Sequence, residues 1–332
     1  MTTLTAPPPR SRPTGRARSS AARNVVVYIL KRIGWLALVL WGVATFLFIL
    51  SRLAGDPAML FAPPEATEEQ ITQTRIRLGL DRPVLVQYAQ TIVGAFTLNF
   101  GNSYAFQRDA FEIVSSRIGP SLEIIVPALV IGVLLAFTLG IYAALKASKV
   151  RGRFMMTLAF IIDGIPYFLL ALILILVFAI GLQWLPATGS EGLRSRILPI
   201  AVLAIGAVAT LARLVRGQMI DALNTGAIQS ARAKGVRPAS IVFRHALPLA
   251  IPPLIAYMGI LFSIMFGSLL ILEPIFNYAG IGSLLVRSVT TRDFTLVQGA
   301  VFCIALLVTL VNMAADAVVR IVDPRLRSEV TS

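Results

Sequence analysis

The sequence predicts an all-α polytopic membrane protein with about six transmembrane helices. Three observations carry this. Apolar residues make up 57% of the 332-residue chain and charged residues only 14%, against about 45–50% and about 25% in ordinary soluble domains. The apolar residues gather into stretches near the roughly 20 residues that a bilayer core requires. The surplus of basic residues, a net charge of +14, falls in alternate connections between those stretches, as topology demands.

The first expected span runs from Ile33 to Leu50, with Lys31 and Arg32 at its mouth. The second covers Leu122–Leu145, with Glu123 near its entry as a first-turn acid after Pro120. The third covers Phe154–Ile180 and contains Asp163, followed by Gly164 and Pro166. The fourth, Ile197–Leu214, is short. The fifth covers Leu249–Leu272, and the sixth Phe294–Val318, with Asp316 near its end.

Counting Lys and Arg orients these spans. Residues 10–32 carry seven, 146–153 four, and 213–248 six against one acid, Asp221. The C-terminal tail adds Arg320, Arg325 and Arg327, whereas 52–119 balances six basic residues with seven acidic ones. The positive-inside rule then puts both termini, 146–153 and 213–248 in the cytoplasm and 52–119 outside. Removing the short fourth span would strand a strongly basic loop outside, so the same rule supports it.

The ends and connections differ in character. Residues 1–24 are rich in Pro, Ser and Arg and contain no acid, which reads as a disordered basic tail, and a cleaved signal peptide is disfavoured. Residues 25–327 form the membrane domain and 328–332 a short tail. Within 52–119, Glu65–Leu78 suits a short helix ended by Gly79. Pro83–Phe100 suits an interfacial helix too short to span. The segment reads as a cap over the bundle and is compatible with docking of an external protein.

In 213–248, Asp221–Lys234 is helix-compatible with an interruption at Gly226, Gly235 offers a C-terminal stop, and Pro238 opens a second helix that Leu247-Pro248 ends. Two readings stand: a solvated basic loop, or a docking element for a cytoplasmic partner.

The excluded classes narrow the function. One cysteine, Cys303, and one histidine, His245, rule out a four-cysteine metal site, an intrachain disulfide and a multi-histidine centre. There is no phosphate-binding loop or glycine-rich nucleotide fingerprint, so no ATP site is expected here. The segment 52–119 holds no nucleophile–base set, and the basic excess has a topological explanation that needs no nucleic acid. Asp163 lies about nine residues into its span. A carboxylate there lines a pathway or belongs to a structural pair or cap. For Asp316 a cytoplasm-side Arg partner is expected.

Longer motifs carry a family resemblance. Gln229-Ser-Ala-Arg-Ala-Lys-Gly235, followed by FRHALP at 243–248, resembles the cytoplasmic coupling loop of ABC importer permeases. LGLDRPVLVQYAQ (78–90), LNFGNSY (98–104), GIPYFLLALILILVFAIGLQWLPATG (164–189), EPIFNYAGIGSLLVRSVTTRDFTLVQGAV (273–301) and VNMAADAVVRIVDPRLR (311–327) resemble the first permease subunit of the dipeptide/oligopeptide branch (DppB/OppB type).

The resemblance implies a type I ABC importer permease fold. It also implies a heterodimer with a second permease, two cytoplasmic ATPases that hold ATP and magnesium, an external solute-binding protein, and a di- or oligopeptide cargo. This chain would then contribute half of the pathway and no catalysis. Nickel, glutathione, opines and oligosaccharides are alternative cargoes, and a non-transporting scaffold or receptor subunit is the alternative of another class. Gln229, Ala231, Arg232, Ala233, Lys234, Gly235, Leu247 and Pro248 are the implied ATPase-coupling residues. Gln229 stands where the general pattern has glutamate, so that glutamate's salt bridge is not expected.

Overall fold

The computed structural model describes residues 15–53, 58, 66–77 and 79–322. The expected tails at 1–24 and 328–332 lie largely or wholly outside them, as do Arg325 and Arg327. Among the described residues the regular structure is helical, with one isolated bridge between Asn102 and Asp109 in the turns and loops that join the helices. Five helices are long and apolar enough to cross a membrane, and a bent pair makes a sixth if it is counted as one span.

Helix α1 (Gly15–Leu53) contains the first expected span. Two short helices follow: α2 (Glu68–Arg77), which ends before Gly79 at φ +67°, and α3 (Val84–Phe96). Helix α4 (Ala110–Leu145) starts twelve residues before the expected Leu122, capped by the Asp109 side chain, which accepts from the Glu112 amide at 2.9 Å. Pro120 and Pro127 therefore lie inside α4. Glu123 is not a first-turn acid. It sits mid-helix and pairs with Arg196 at 2.8 Å.

The third expected span is broken. Helix α5 (Val150–Asp163) and helix α6 (Tyr167–Leu174, continued by a π-helical turn over Ile175–Gly181) meet at 100°. Pro166 has no N–H to continue the ladder and pushes the residue before it out of helical geometry, so the chain restarts in a new direction at Tyr167.

The fourth span is longer than expected. Helix α7 (Gly192–Leu223) runs 32 residues, so Arg213 and Arg216 belong to a helix and not to a loop. The helical break falls at Asn224–Thr225, and Gly226 opens helix α8 (Gly226–Ala233).

Leu247-Pro248 does not end a helix either. Helix α9 runs from Pro238 to Ile275, with a widened π-turn at Ile241–Ala246. That turn lies immediately before Pro248, where a regular ladder would meet the proline ring and lose a donor; π-turns commonly accommodate such defects. Helices α10 (Ile281–Thr290) and α11 (Phe294–Val322) are the last of the described elements.

The main core is built on α4 against α7, with α9, α10 and α11 around them. Along α4, Ala128, Gly132, Ala136, Gly140 and Ala144 recur every four residues, all buried. A Cβ added to Gly140 would lie 2.6 Å from Val215 Cβ, and one added to Gly132 2.8 Å from Ala207 Cβ. Small residues at this spacing let two backbones approach, which is how membrane helices gain packing without a hydrophobic drive from water. A second cluster gathers the C-terminal ends of α4 and α7, helix α8 and the start of α9. A third joins α1 to α3 and α11.

Candidate functional site

Helix α8 stands at one end of the bundle. Ile228 plugs it into the second cluster at 1% exposure, beside buried Val215, Met219, Ile241 and Val242. The helix ends in a Schellman cap: the Val236 amide donates to Ala231 O at 3.2 Å and the Gly235 amide to Arg232 O at 3.0 Å. Gly235 has φ +76°, a conformation that glycine adopts without a Cβ penalty, and nothing lies within 4 Å of where its Cβ would be. The expected stop is thus present, and it turns the chain directly into α9.

Around this frame Gln229, Arg232, Ala233, Lys234, Gly235 and Pro248 are exposed, while Ala231 and Leu247 are half-buried. Gln229 Nε2 donates back to Asn224 O at 3.3 Å. Leu247 and Pro248 lie in α9, which the break at Gly235–Arg237 separates from the rest of the set. Arg237, Phe243, Arg244 and His245 extend the same exposed region, with Phe243 at 63% exposure. It is a basic, partly apolar surface on a short helix that is held from behind by one isoleucine.

Asp163 lies at the last turn of α5. It accepts from the Thr210 hydroxyl and pairs with Arg213, both on α7. The Arg213 guanidinium is 5.7 Å from the Phe160 ring centroid. Just past the break, Tyr167 presses its ring on Gly206, where a Cβ would overlap it. Gly206, Thr210 and Arg213 lie at i, i+4 and i+7, one stripe of α7. The bend therefore closes on that stripe, and the structural pair is the role for which the structure supplies partners. Asp316 likewise meets the expected cationic partner, Arg32.

Two buried acids at the far end of the bundle, Glu273 and Asp293, were not singled out in the sequence. Glu273, 1% exposed, accepts from Ser121 Oγ at 2.5 Å and from the Ser283 amide at 2.9 Å, and the same Ser121 oxygen receives the Ile281 amide at 2.9 Å. Asp293, also 1% exposed, accepts from Ser103 Oγ at 2.6 Å, the Tyr104 and Ala105 amides at 3.0 and 3.1 Å, and the Leu296 amide at 3.2 Å. The one available signal was the acid's place at a helix terminus: Asp293 is positioned to cap α11. Nearby, burial raises the Tyr104 phenol above the ordinary tyrosine value, and burial does the same for Tyr278. Among the described residues no three His, Cys, Asp or Glu side chains gather where a metal ion could sit.

Residues 136–328 match the model of the binding-protein-dependent transport system inner membrane component, and residues 25–118 match its N-terminal companion. The glutathione transport system permease protein GsiC of Salmonella paratyphi A is 34% identical over 302 residues, covering 90% of this chain and 98% of the relative. A probable peptide ABC transporter permease protein, y4tP of Sinorhizobium fredii, is 33% identical over 310 residues, covering 91% and 99%. The inward-facing MetNI methionine ABC transporter aligns at a TM-score of 0.54 with 21% identity, covering 64% of this chain and 96% of that one, which shows a shared type I importer permease fold.

The relatives span glutathione and peptide permeases, which supports the wider family and not the dipeptide/oligopeptide first-subunit branch in particular. The chain belongs to the family of binding-protein-dependent transport system inner membrane components, the multi-pass, non-catalytic permease subunits of ABC importers.

Proposed function

We propose that this chain forms half of the pathway of an ATP-driven importer of small peptidic solutes, with α8 as its contact to a cytoplasmic ATPase. The observation that carries the reading is the construction of α8. It is exposed on one side, rigidly capped at Gly235, and plugged by Ile228 into a cluster shared with α4, α7 and α9. A push on such a helix reaches three spans through packed side chains. Its exposed residues Arg232 and Lys234, with Arg237 and Arg244 beside them, favour an acidic groove on the partner.

In this reading the α8 end and both termini face the cytoplasm. A second permease, two ATPases carrying ATP and magnesium, and an external solute-binding protein complete the machine. The membrane is the bacterial inner membrane, as for the family. The named relatives favour glutathione, itself a small peptide, over unmodified di- or oligopeptides as cargo.

The test is uptake by proteoliposomes containing the complete complex and its binding protein. ATP-dependent accumulation of glutathione or trialanine is expected, and the preference between them separates the two cargo readings. Failure to accumulate either would reject the peptidic cargo. Disulfide trapping between Lys234→Cys and cysteines along the ATPase groove checks the contact, and no trapping at any groove position rejects the assignment of α8.

A further inference from the structure

At the end of the bundle away from α8, a cavity of about 280 Å³ lies between the last turn of α1, the 79–104 segment and the start of α11. This is near the lower limit of ligand sites and suits one small solute. Among the described residues that line it none is acidic, and Arg52 is the one cation.

Arg52 is held in place. It donates to Gln87 Oε1, and its guanidinium carbon is 5.3 Å from the Phe48 ring centroid. Gln87 is 7% exposed, and its own amide donates to Leu80 O at 3.0 Å and Arg82 O at 2.6 Å. Both ends of that amide are therefore committed, and its oxygen is aimed at Arg52. A guanidinium offers five N–H donors in a rigid fork, of which Gln87 engages one edge, and no described carboxylate pairs with the rest. Gln90 and Gln298 also line the cavity, and Asn99 spends its oxygen on the Gly101 amide at 3.2 Å, keeping its nitrogen as a donor.

A pre-oriented guanidinium ringed by amides, in a wall without acids, is built to take a carboxylate. We propose that this cavity binds the carboxylate of a small peptidic solute, with Arg52 on the carboxylate and Gln90, Asn99 and Gln298 on the adjoining amide groups. The proposal rests on the peptidic reading of the cargo, and it places a solute contact within this chain alone.

The test is calorimetric titration of the complete complex in phosphatidylcholine nanodiscs, without nucleotide or binding protein. The probes are trialanine, glutathione, trialaninamide and inorganic phosphate. Trialanine and glutathione are expected to bind, and trialaninamide about tenfold more weakly or worse, the scale of a lost charge-assisted hydrogen bond.

Arg52→Gln should abolish the difference between acid and amide, and Arg52→Lys should restore part of it. Gln298→Leu leaves the Phe48–Arg52–Gln87 arrangement intact and should weaken trialanine severalfold, which keeps the test decisive if Arg52→Gln fails to assemble. Equal binding of trialanine and trialaninamide, no binding of either peptide acid, or a Gln298→Leu variant of unchanged affinity overturns the proposal. Phosphate that binds as tightly as trialanine through Arg52 replaces it with a general anion site, such as one for lipid headgroups. Arg52-dependent trialanine binding without ATP-driven uptake of either peptide leaves the cavity assignment standing and rejects the cargo reading instead.

Discussion

Asp293 Oδ2 lies 2.6 Å from the hydroxyl of Ser103, a residue 190 positions earlier in the chain. The same oxygen collects the Tyr104 and Ala105 amides, and the other oxygen caps α11 through Leu296. One buried carboxylate thus ties the 98–105 segment to the start of the last span. Asp293→Asn keeps the size but loses the charge and turns one acceptor into a donor facing amides. It is expected to destabilise the chain by about 2–4 kcal/mol, since hydrogen bonds to a charged group contribute about 1.5–3 kcal/mol and buried donors would be left unpaired. Thermal unfolding in detergent measures this. A loss below about 0.5 kcal/mol would remove Asp293 as the tie.

The α4–α7 seam makes a second prediction. Gly140→Ala puts a Cβ 2.6 Å from Val215 Cβ and 2.8 Å from Ala212 O, and overpacking of this kind costs about 1–3 kcal/mol. Gly42→Ala on α1 meets nothing within 4 Å and is expected to be neutral or to stabilise by up to about 1 kcal/mol through helix propensity. The comparison is the shift in unfolding midpoint of the two single variants. Equal shifts would show that close helix approach is not what Gly140 provides.

At Gly235 the obstacle is conformational and not steric. Open space surrounds the position, but φ +76° is strained for any β-branched residue, at about 1–2 kcal/mol. Gly235→Val should unwind the cap of α8 while leaving the spans inserted. ATP hydrolysis by the complex is expected to continue while solute uptake falls at least tenfold. Normal uptake by this variant would detach α8 from coupling.

The Asp163–Arg213 pair calls for a double-mutant cycle. Both side chains are about one-third exposed or less, so a coupling free energy of roughly 1 kcal/mol is expected between Asp163→Ala and Arg213→Ala in unfolding stability. If the pair only closes the bend, uptake should follow stability across the cycle. Uptake kinetics that change for Asp163→Ala with stability corrected would assign the carboxylate to the pathway.

Much of this architecture was legible in the chain itself. Long apolar stretches can satisfy their backbone in a bilayer only as helices, so the spans appear wherever such stretches do. Gly235 was legible as a helix stop because only local backbone geometry sets it. Asp316 was legible as a paired charge because an isolated carboxylate near a membrane interface seeks a cation.

Other features depend on partners remote in sequence. Pro166 announces a bend, but its 100° angle is set by where Asp163 and Tyr167 land on the Gly206–Thr210–Arg213 stripe. Pro248 announces a helix end, yet a widened turn carries the helix through it. Glu273 and Asp293 look like surface charges until Ser121 and Ser103, from distant segments, close over them.

The sequence by itself determined the helical class, the approximate spans and the helix stop at Gly235, because those follow from local hydrophobicity and backbone preference. Only the tertiary structure decided which faces of those helices meet, which acids are buried, and that a positioned arginine looks into a cavity. Those outcomes rest on side-chain contacts across scores of residues, which no local pattern encodes.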